Sequence, residues 1–475
     1  MLAINSFNST HQQNNINFAA MKPSIPQGTR DFSAAILRKR NYILQTIKST
    51  FELYGFEPLE TPAMENTETL LGKYGEEGDK LIFKVLNNGL NNPEKRESAT
   101  RDFQSVLEGK TNKGITERAL RYDLTIPFAR YVAMNHGQLV LPFKRYQMQP
   151  VWRADRPQRG RYREFWQCDA DIAGSSSLLH ETELALIYSR VFSKLKVPVS
   201  IHLNNRKILT ALSALCGGEE LMMDITIAID KLDKIGIEKV KDELTGKGLS
   251  MEQIASVESY ISISGNNDDK IQQLENLFNT IPIGVEGISE LKSLLSICNN
   301  SKQKPNLVID PSLARGLNYY TGTIFEVKAN DVQMGSIGGG GRYDDLTGLF
   351  GVKGIAGVGI SFGVDRIYDV MEELKVFPEN IQRGTTALLF NTGDAQQQAL
   401  LSLAEELRSE GIACELYHEQ VKFDKQFKYA EKKSIPYVVI LGSDEMLKGT
   451  IIVKHLESGK QDELNLKQLI QLLKA

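Results

Sequence analysis

The chain has 475 residues, with 56 Lys and Arg against 59 Asp and Glu and a net charge of −3. At roughly 150 residues per domain that length suggests about three domains, and a near-neutral total neither demands nor excludes a polyanionic partner, because a local basic stripe suffices. Four scattered cysteines (Cys168, Cys216, Cys298, Cys414) form no CxxC pair, which argues against a zinc site or a disulfide framework. No apolar run reaches the roughly 18 residues of a bilayer span, so a soluble protein of a reducing compartment is expected.

Residues 1–20 contain no Asp, Glu, Lys or Arg and are rich in asparagine. They lack the basic n-region of a secretory signal and the arginines of a transit peptide. Residues 1–21 therefore read as a disordered leader, with Met21 as a candidate start.

Apolar residues Ile36, Ile43, Leu44, Ile47, Phe51, Leu53 and Tyr54 recur at helical spacing, predicting an amphipathic helix over 34–55. A proline-containing extended segment follows at 56–62. Residues 93–117 are polar and charged and read as an exposed loop. In residues 120–127, Asp123 and Thr125 stand two apart, on one side if the segment is extended. A carboxylate and a hydroxyl suit an ammonium group; a turn closed by local side-chain bonds accounts for them equally well.

Residues 143–172 read as strand, loop, strand. Alternation puts Arg145, Gln147, Gln149 and Arg153 on one face, and Arg163, Phe165, Gln167, Asp169 and Asp171 on one face of the return strand. Apolar residues take the other side. This is either a solvated outer face or a ligand-binding one. The loop between the strands carries Arg156, Arg159 and Arg161, a cationic arm suited to phosphates.

Residues 205–304 are helical and charged, like an inserted module. Strand character returns at 307–328. Within it, residues 313–327 hold Arg315, Gly316, Tyr319, Tyr320 and Gly322, either a small-molecule pocket or a strand end with packed tyrosines. A glycine-rich turn at 338–341 precedes a strand at 355–362, which runs into a helix with Arg366 in its first turn. A cation there opposes the helix dipole unless an anion lies between them. Beyond a boundary near 380, strands at 386–390, 412–417, 437–441 and 450–455 alternate with helices at 394–410, 424–434 and 463–474. That rhythm predicts an α/β domain with a mixed, largely parallel sheet. The lysine-rich segment 422–433 is either a solvated helix face or a track for an RNA backbone.

Together these segments resemble a class II aminoacyl-tRNA synthetase, and within that class the histidyl family. The 143–172 hairpin resembles the second signature motif, the strand and helix ending in Arg366 the third, and Thr61-Pro62 the first, which lies at the dimer interface in this class. Residues 313–327 resemble a peptide peculiar to the histidyl enzymes. The resemblance implies an α+β catalytic core built on an antiparallel sheet (residues 22–204 and 305–380), a helical insertion (205–304) and a C-terminal α/β anticodon-binding domain (384–475). It implies a histidine–tRNA ligase of protein biosynthesis: a cytoplasmic homodimer that uses L-histidine, ATP with Mg2+, and histidine tRNA, with no dedicated protein metal site.

Residue by residue, Arg153 and Arg315 match the two catalytic arginines at the α-phosphate and the amino-acid carboxylate. Arg161, Phe165 and Arg366 match ATP-binding positions. Asp123, Leu124, Thr125, Gln167, Asp171, Tyr319 and Tyr320 match the histidine pocket, the first few at the amino group and Asp171 with the tyrosines at the imidazole. Gln158 and Arg159 fall in the loop that approaches the tRNA acceptor end and its extra 5′ guanosine. Asp123 and Asp171 are shorter than the glutamates of many bacterial relatives. Two other readings compete: a catalytically silent regulatory paralogue, and a synthetase for another amino acid.

Overall fold

The computed structural model describes residues 22–314, 319–382 and 384–474. The leader and its candidate start at Met21 lie outside them, as does Arg315. The described residues fall into two compact units, one from residues 22–33 and 43–376, the other from 34–42 and 377–474.

The first unit is built on an eight-stranded sheet. Its strands are β1 (Glu57–Pro58), β2 (Phe143–Trp152), β3 (Glu164–Ala173), β4 (Val199–Asn205), β5 (Leu307–Ile309), β6 (Thr323–Ala329), β7 (Gly338–Arg342) and β8 (Gly357–Gly363). Their order is β1-β2-β3-β8-β7-β6-β4-β5. The pairings at the two margins are parallel and those between them antiparallel, giving an antiparallel α+β core.

Helix α1 (Ala34–Leu53) follows the predicted amphipathic pattern, with Ile43, Ile47 and Phe51 fully buried. The Phe51 ring meets Tyr146 of β2 and Phe362 of β8, each at 5.8 Å. Tyr188 of a second helix (Leu179–Lys194) meets the same Phe362 at 4.8 Å with the rings tilted. These aromatics cover the apolar face of the sheet and leave its polar face for the site.

Residues 206–299 are folded as helices, from Arg206–Leu215 to Pro282–Asn299. The last packs on the first where Gly284 and Gly287 bring it against Ala211 and Ile208.

Two segments depart from expectation. The predicted loop at 93–117 contains a helix, Arg96–Leu107, with no buried residue. Its polar, charged composition suits an exposed helix as well as a loop, and Phe103 and Leu107 stay exposed on it. The glycine run at 338–341 is not a turn but strand β7, paired on both sides. Glycine is a poor strand former, yet here space decides. A Cβ at Gly340 would lie 2.2 Å from the Gly359 carbonyl oxygen, one at Gly341 2.7 Å from that of Thr323, and one at Gly338 2.8 Å from the Tyr188 ring.

The second unit holds a five-stranded sheet of β9 (Ala387–Leu389), β10 (Cys414–Leu416), β11 (Tyr437–Ile440), β12 (Ile451–His455) and β13 (Gln461–Leu464), in the order β10-β9-β11-β12-β13. Strand β9 pairs parallel with both neighbours, and the remaining two pairings are antiparallel. The sheet is mixed, as expected, but parallel in only half its pairings. Strand β13 occupies residues that the sequence assigned to the start of the last helix, which begins at Leu466. Leu400, Leu403, Leu407, Val439, Val453 and Leu469 form its core on one side.

Gly340→Ala should destabilise the first unit by about 1–3 kcal/mol, the usual cost of overpacking a core. Gly246→Ala, where an added methyl meets open space, should be neutral or slightly stabilising. Thermal denaturation of the two variants checks this, and equal melting temperatures would contradict it.

Candidate active site

The register of the β2–β3 hairpin sets Arg145 opposite Asp171, Gln147 opposite Asp169 and Gln149 opposite Gln167. The polar face is not solvated: Arg145, Gln147, Asp169 and Asp171 are all buried. Above it opens a cavity of about 460 Å³.

One end of this cavity is cationic. Arg153, just past β2, donates from Nε to the Tyr122 carbonyl (3.1 Å) and from Nη2 to Gln167 Oε1 (3.3 Å). Its guanidinium lies 4.2 Å from the Tyr122 ring centre and 5.1 Å from that of Phe165. Helix α2 (Val364–Leu374) carries Arg366 in its first turn. Arg366 is aimed by donation from Nε to the Gly160 carbonyl (2.7 Å) and from Nη1 to that of Ser336 (2.6 Å). Arg161 and Phe165 line the same end.

The rest of the lining is polar and includes Asp123, Thr125, Tyr319 and Tyr320. Thr125 opens the helix Thr125–Asn135, so the Asp123–Thr125 segment is a helix start, not an extended strand. Asp123 Oδ1 accepts from the Ile126 N–H (3.2 Å) and from the Tyr74 hydroxyl (2.9 Å), and Oδ2 accepts from Tyr319 (3.4 Å). The turn is closed locally by Asp123, and Asp123 and Thr125 also line the cavity. Burial raises the Asp123 pKa against the lowering pull of Tyr74, the Ile126 N–H and Arg153. Burial also raises those of Tyr319 and Tyr320, keeping the phenols neutral. The two rings meet edge to face at 5.2 Å.

Four expected residues stand elsewhere. Asp171 lies behind the cavity wall, 2.8 Å from Arg145 Nη2, and accepts from the Tyr343 hydroxyl. Leu124 is fully buried, and its carbonyl accepts from Arg145 Nη2 (3.1 Å). Gln158 sits in a tight turn whose backbone pairs with that of Arg161, and Arg159 is exposed and pairs with Glu373. Neither loop residue lines the cavity.

Asp169, which shared the Asp171 face in the sequence but received no role, does line the cavity. Its Oδ1 has no hydrogen-bond partner among the described residues. Burial, then the neighbouring Asp171, raise its pKa, against Arg145 and Ser361. Alternation could place both aspartates on one face, but not say which of them reaches the opening. Tyr74, Tyr122 and Ser361 were also missed; Gln167 Nε2 donates to Ser361 Oγ at 2.8 Å. Among the described residues no cluster of His, Cys, Asp and Glu is arranged to hold a metal. The arrangement can hold a polyanion at one end and a small cationic or amphoteric molecule at the other.

Comparison with known proteins agrees with this geometry. Residues 98–367 match the histidyl-tRNA synthetase family, and residues 386–475 match the anticodon binding domain family. A histidine–tRNA ligase of Phocaeicola vulgatus is 49% identical over 458 residues, covering 96% of this chain and 100% of the relative. The crystal structure of histidyl-tRNA synthetase from Nostoc sp. PCC 7120 superimposes with a TM-score of 0.79 at 31% identity, covering 96% of this chain and 99% of that one. An ATP phosphoribosyltransferase regulatory subunit/histidyl-tRNA synthetase from Bacillus halodurans shares the fold at a TM-score of 0.68, but at 18% identity it speaks to the fold alone. On sequence, fold and site together, this chain belongs to the histidyl-tRNA synthetase family of class II aminoacyl-tRNA synthetases.

Proposed function

We propose that the protein joins L-histidine to histidine tRNA in two steps. A histidine carboxylate oxygen attacks the α-phosphorus of ATP, forming histidyl-adenylate as pyrophosphate leaves. The terminal ribose hydroxyl of the tRNA then attacks the activated carbonyl and releases AMP. The observation that carries this reading is one cavity lined both by two fixed guanidinium groups, Arg153 and Arg366, and by Asp123, Thr125, Gln167, Tyr319 and Tyr320.

Activation needs no covalent enzyme intermediate, so the residues act by positioning and by stabilising charge. Arg153 bridges the α-phosphate and the histidine carboxylate, and by family resemblance Arg315 meets the same phosphate. Arg366 and Phe165 enclose the adenine between a guanidinium and a ring, and Arg161 meets the outer phosphates. Asp123, Thr125 and Gln167 take the α-amino group. Tyr319 and Tyr320 border the imidazole, and Asp169 supplies the carboxylate at the cavity floor. Asp171 acts from behind the wall, through Arg145 and Tyr343. Mg2+ enters with ATP as part of the substrate, and no step is assigned to a protein-bound metal.

The remaining assignments follow the same reading. Residues 22–204 and 305–380 form the catalytic core, 205–304 an insertion placed to hold the acceptor stem, and 384–475 the reader of the anticodon. Gln158 and Arg159, exposed on the loop turn, contact the acceptor end. The enzyme works as a cytoplasmic homodimer. No helix among the described residues is long and apolar enough to cross a membrane. A silent regulatory role has no observation in its favour.

Histidine-dependent exchange of pyrophosphate into ATP should be present in the wild-type protein and absent with other amino acids; no exchange would end this reading. Arg153→Ala and Arg315→Ala should each lower exchange by at least about 100-fold, the scale for loss of one preorganised donor to developing charge, while the proteins remain folded.

Asp169 adds a pH dependence. Its folded pKa lies above the unfolded one, so its ionised form disfavours the ligand-free fold once pH rises through the folded value. Asp169→Asn should therefore melt about 2–4 °C higher at pH 8. That gain should shrink as pH falls through the folded pKa, and the variant should bind histidine more weakly. A gain that grows on acidification would contradict the assignment.

A further inference from the structure

We propose that Arg30, which lies outside the cavity, is a positioning residue for the nucleotide. It neutralises the cavity-wall carboxylate of Asp365 and fastens the end of the β2–β3 loop to the first turn of α2. The proposal rests on the reading of the cationic end as the ATP site.

Arg30 belongs to the segment that runs in ahead of α1. Its guanidinium donates from Nη2 to Asp365 Oδ1 and lies 3.3 Å from the Tyr162 ring centre, with Phe32 at 5.0 Å on its own segment. The other oxygen of Asp365 accepts the Trp166 N–H at 3.0 Å. The strap is also fixed by backbone, because the Gly28 carbonyl accepts the Arg163 N–H at 2.8 Å. Gly28 has φ +84°, and a Cβ there would lie 2.8 Å from Arg163 Cγ, so close approach demands glycine. Arg30 thus joins Tyr162, the hairpin backbone at Trp166 and the start of α2.

Each of these anchors adjoins a residue assigned to ATP. Tyr162 follows Arg161, Trp166 follows Phe165, and Asp365 precedes Arg366. Asp365 is buried, and it and Tyr162 line the cavity. A carboxylate in the wall of a polyanion site opposes the ligand unless a cation balances it. Arg30 can do so from behind, because its planar group pairs with the carboxylate and stacks on Tyr162 at the same time. Lysine would keep the charge and lose the stack.

The test separates ATP from histidine. Wild-type exchange first establishes the underlying reading, so failure there is distinct from failure of this inference. In Arg30→Ala, KM for ATP should rise about tenfold, equivalent to about 1.4 kcal/mol. KM for histidine and kcat should stay within about twofold. Adding Asp365→Asn should recover much of the ATP affinity, because the charge that needed balancing is gone. A purely structural role would lower the folded fraction and the melting temperature without this split. Equal changes for both substrates, an unchanged KM for ATP, or no recovery in the double variant would overturn the proposal. Should Arg30→Ala not fold, Arg30→Lys and Arg30→Gln decide the matter. Lys should bind ATP, measured by calorimetry, more tightly than Gln, and equal affinities would overturn it.

Discussion

The buried ion pair of Arg145 with Asp171 is the constraint around which the site is arranged. Taking two charges out of water costs several kcal/mol per ion and is tolerable only with good geometry and further hydrogen bonds. Arg145 is fully buried and also holds the Leu124 carbonyl, which fixes the helix start that presents Asp123 and Thr125. Asp171 accepts from Tyr343, whose ring meets Tyr319 edge to face at 6.0 Å. Across the sheet, a Cβ on Gly359 would fall 1.9 Å from Asp171 Oδ1, so β8 needs glycine opposite the carboxylate. One pair thereby braces Asp123, Thr125 and Tyr319 of the cavity lining without itself lining the cavity.

Three buried carboxylates, Asp123, Asp169 and Asp171, show how environment separates like groups. Asp171 has a guanidinium beside it and a structural part. Asp123 has a phenol and a helix N–H, which hold its charge partly in place. Asp169 is left with an open oxygen, and burial and Asp171 both disfavour its charge. Neutral phenols around them add hydrogen bonds without adding charge, which suits a ligand recognised by the polarity of a ring.

What could be read from the sequence depended on whether a local period carried the information. The hairpin faces, the amphipathic α1 and the placement of Arg366 in a first helical turn all follow from spacing alone. The glycine strand did not, because its cause is the close approach of Thr323 and Gly359 on the neighbouring strands and of Tyr188 on a facing helix, which no local period reports. The helix at 96–107 did not, because its polar, charged composition suits an exposed helix as well as a loop. Asp169 and Asp171 were interchangeable by alternation, and only their depth beneath the opening separates them. Arg30 had no signal either, since its partners lie more than a hundred residues onward. Family resemblance supplied the roles of Arg153 and Arg366, whereas residue chemistry alone reached only a cationic pocket.

The helices of residues 206–299 bear on the site more directly than an inserted module suggests. Asn204, at the end of β4, donates from Nδ2 to the Leu313 carbonyl (3.0 Å) and to the Tyr260 hydroxyl (3.0 Å). Leu313 begins the segment that leads to Tyr319 and Tyr320, and Tyr260 is fully buried in a helix of the inserted region. Swinging those helices away would strip a buried amide of a partner, at a cost of about 1–3 kcal/mol. A freely hinged appendage would not carry such a bond. The same helices are tied to the sheet elsewhere too, by Asn205 Nδ2 donating to Glu290 (2.6 Å) and Asn267 Nδ2 to the Leu307 carbonyl (2.8 Å), so they are bonded into the core and not hung from a flexible linker.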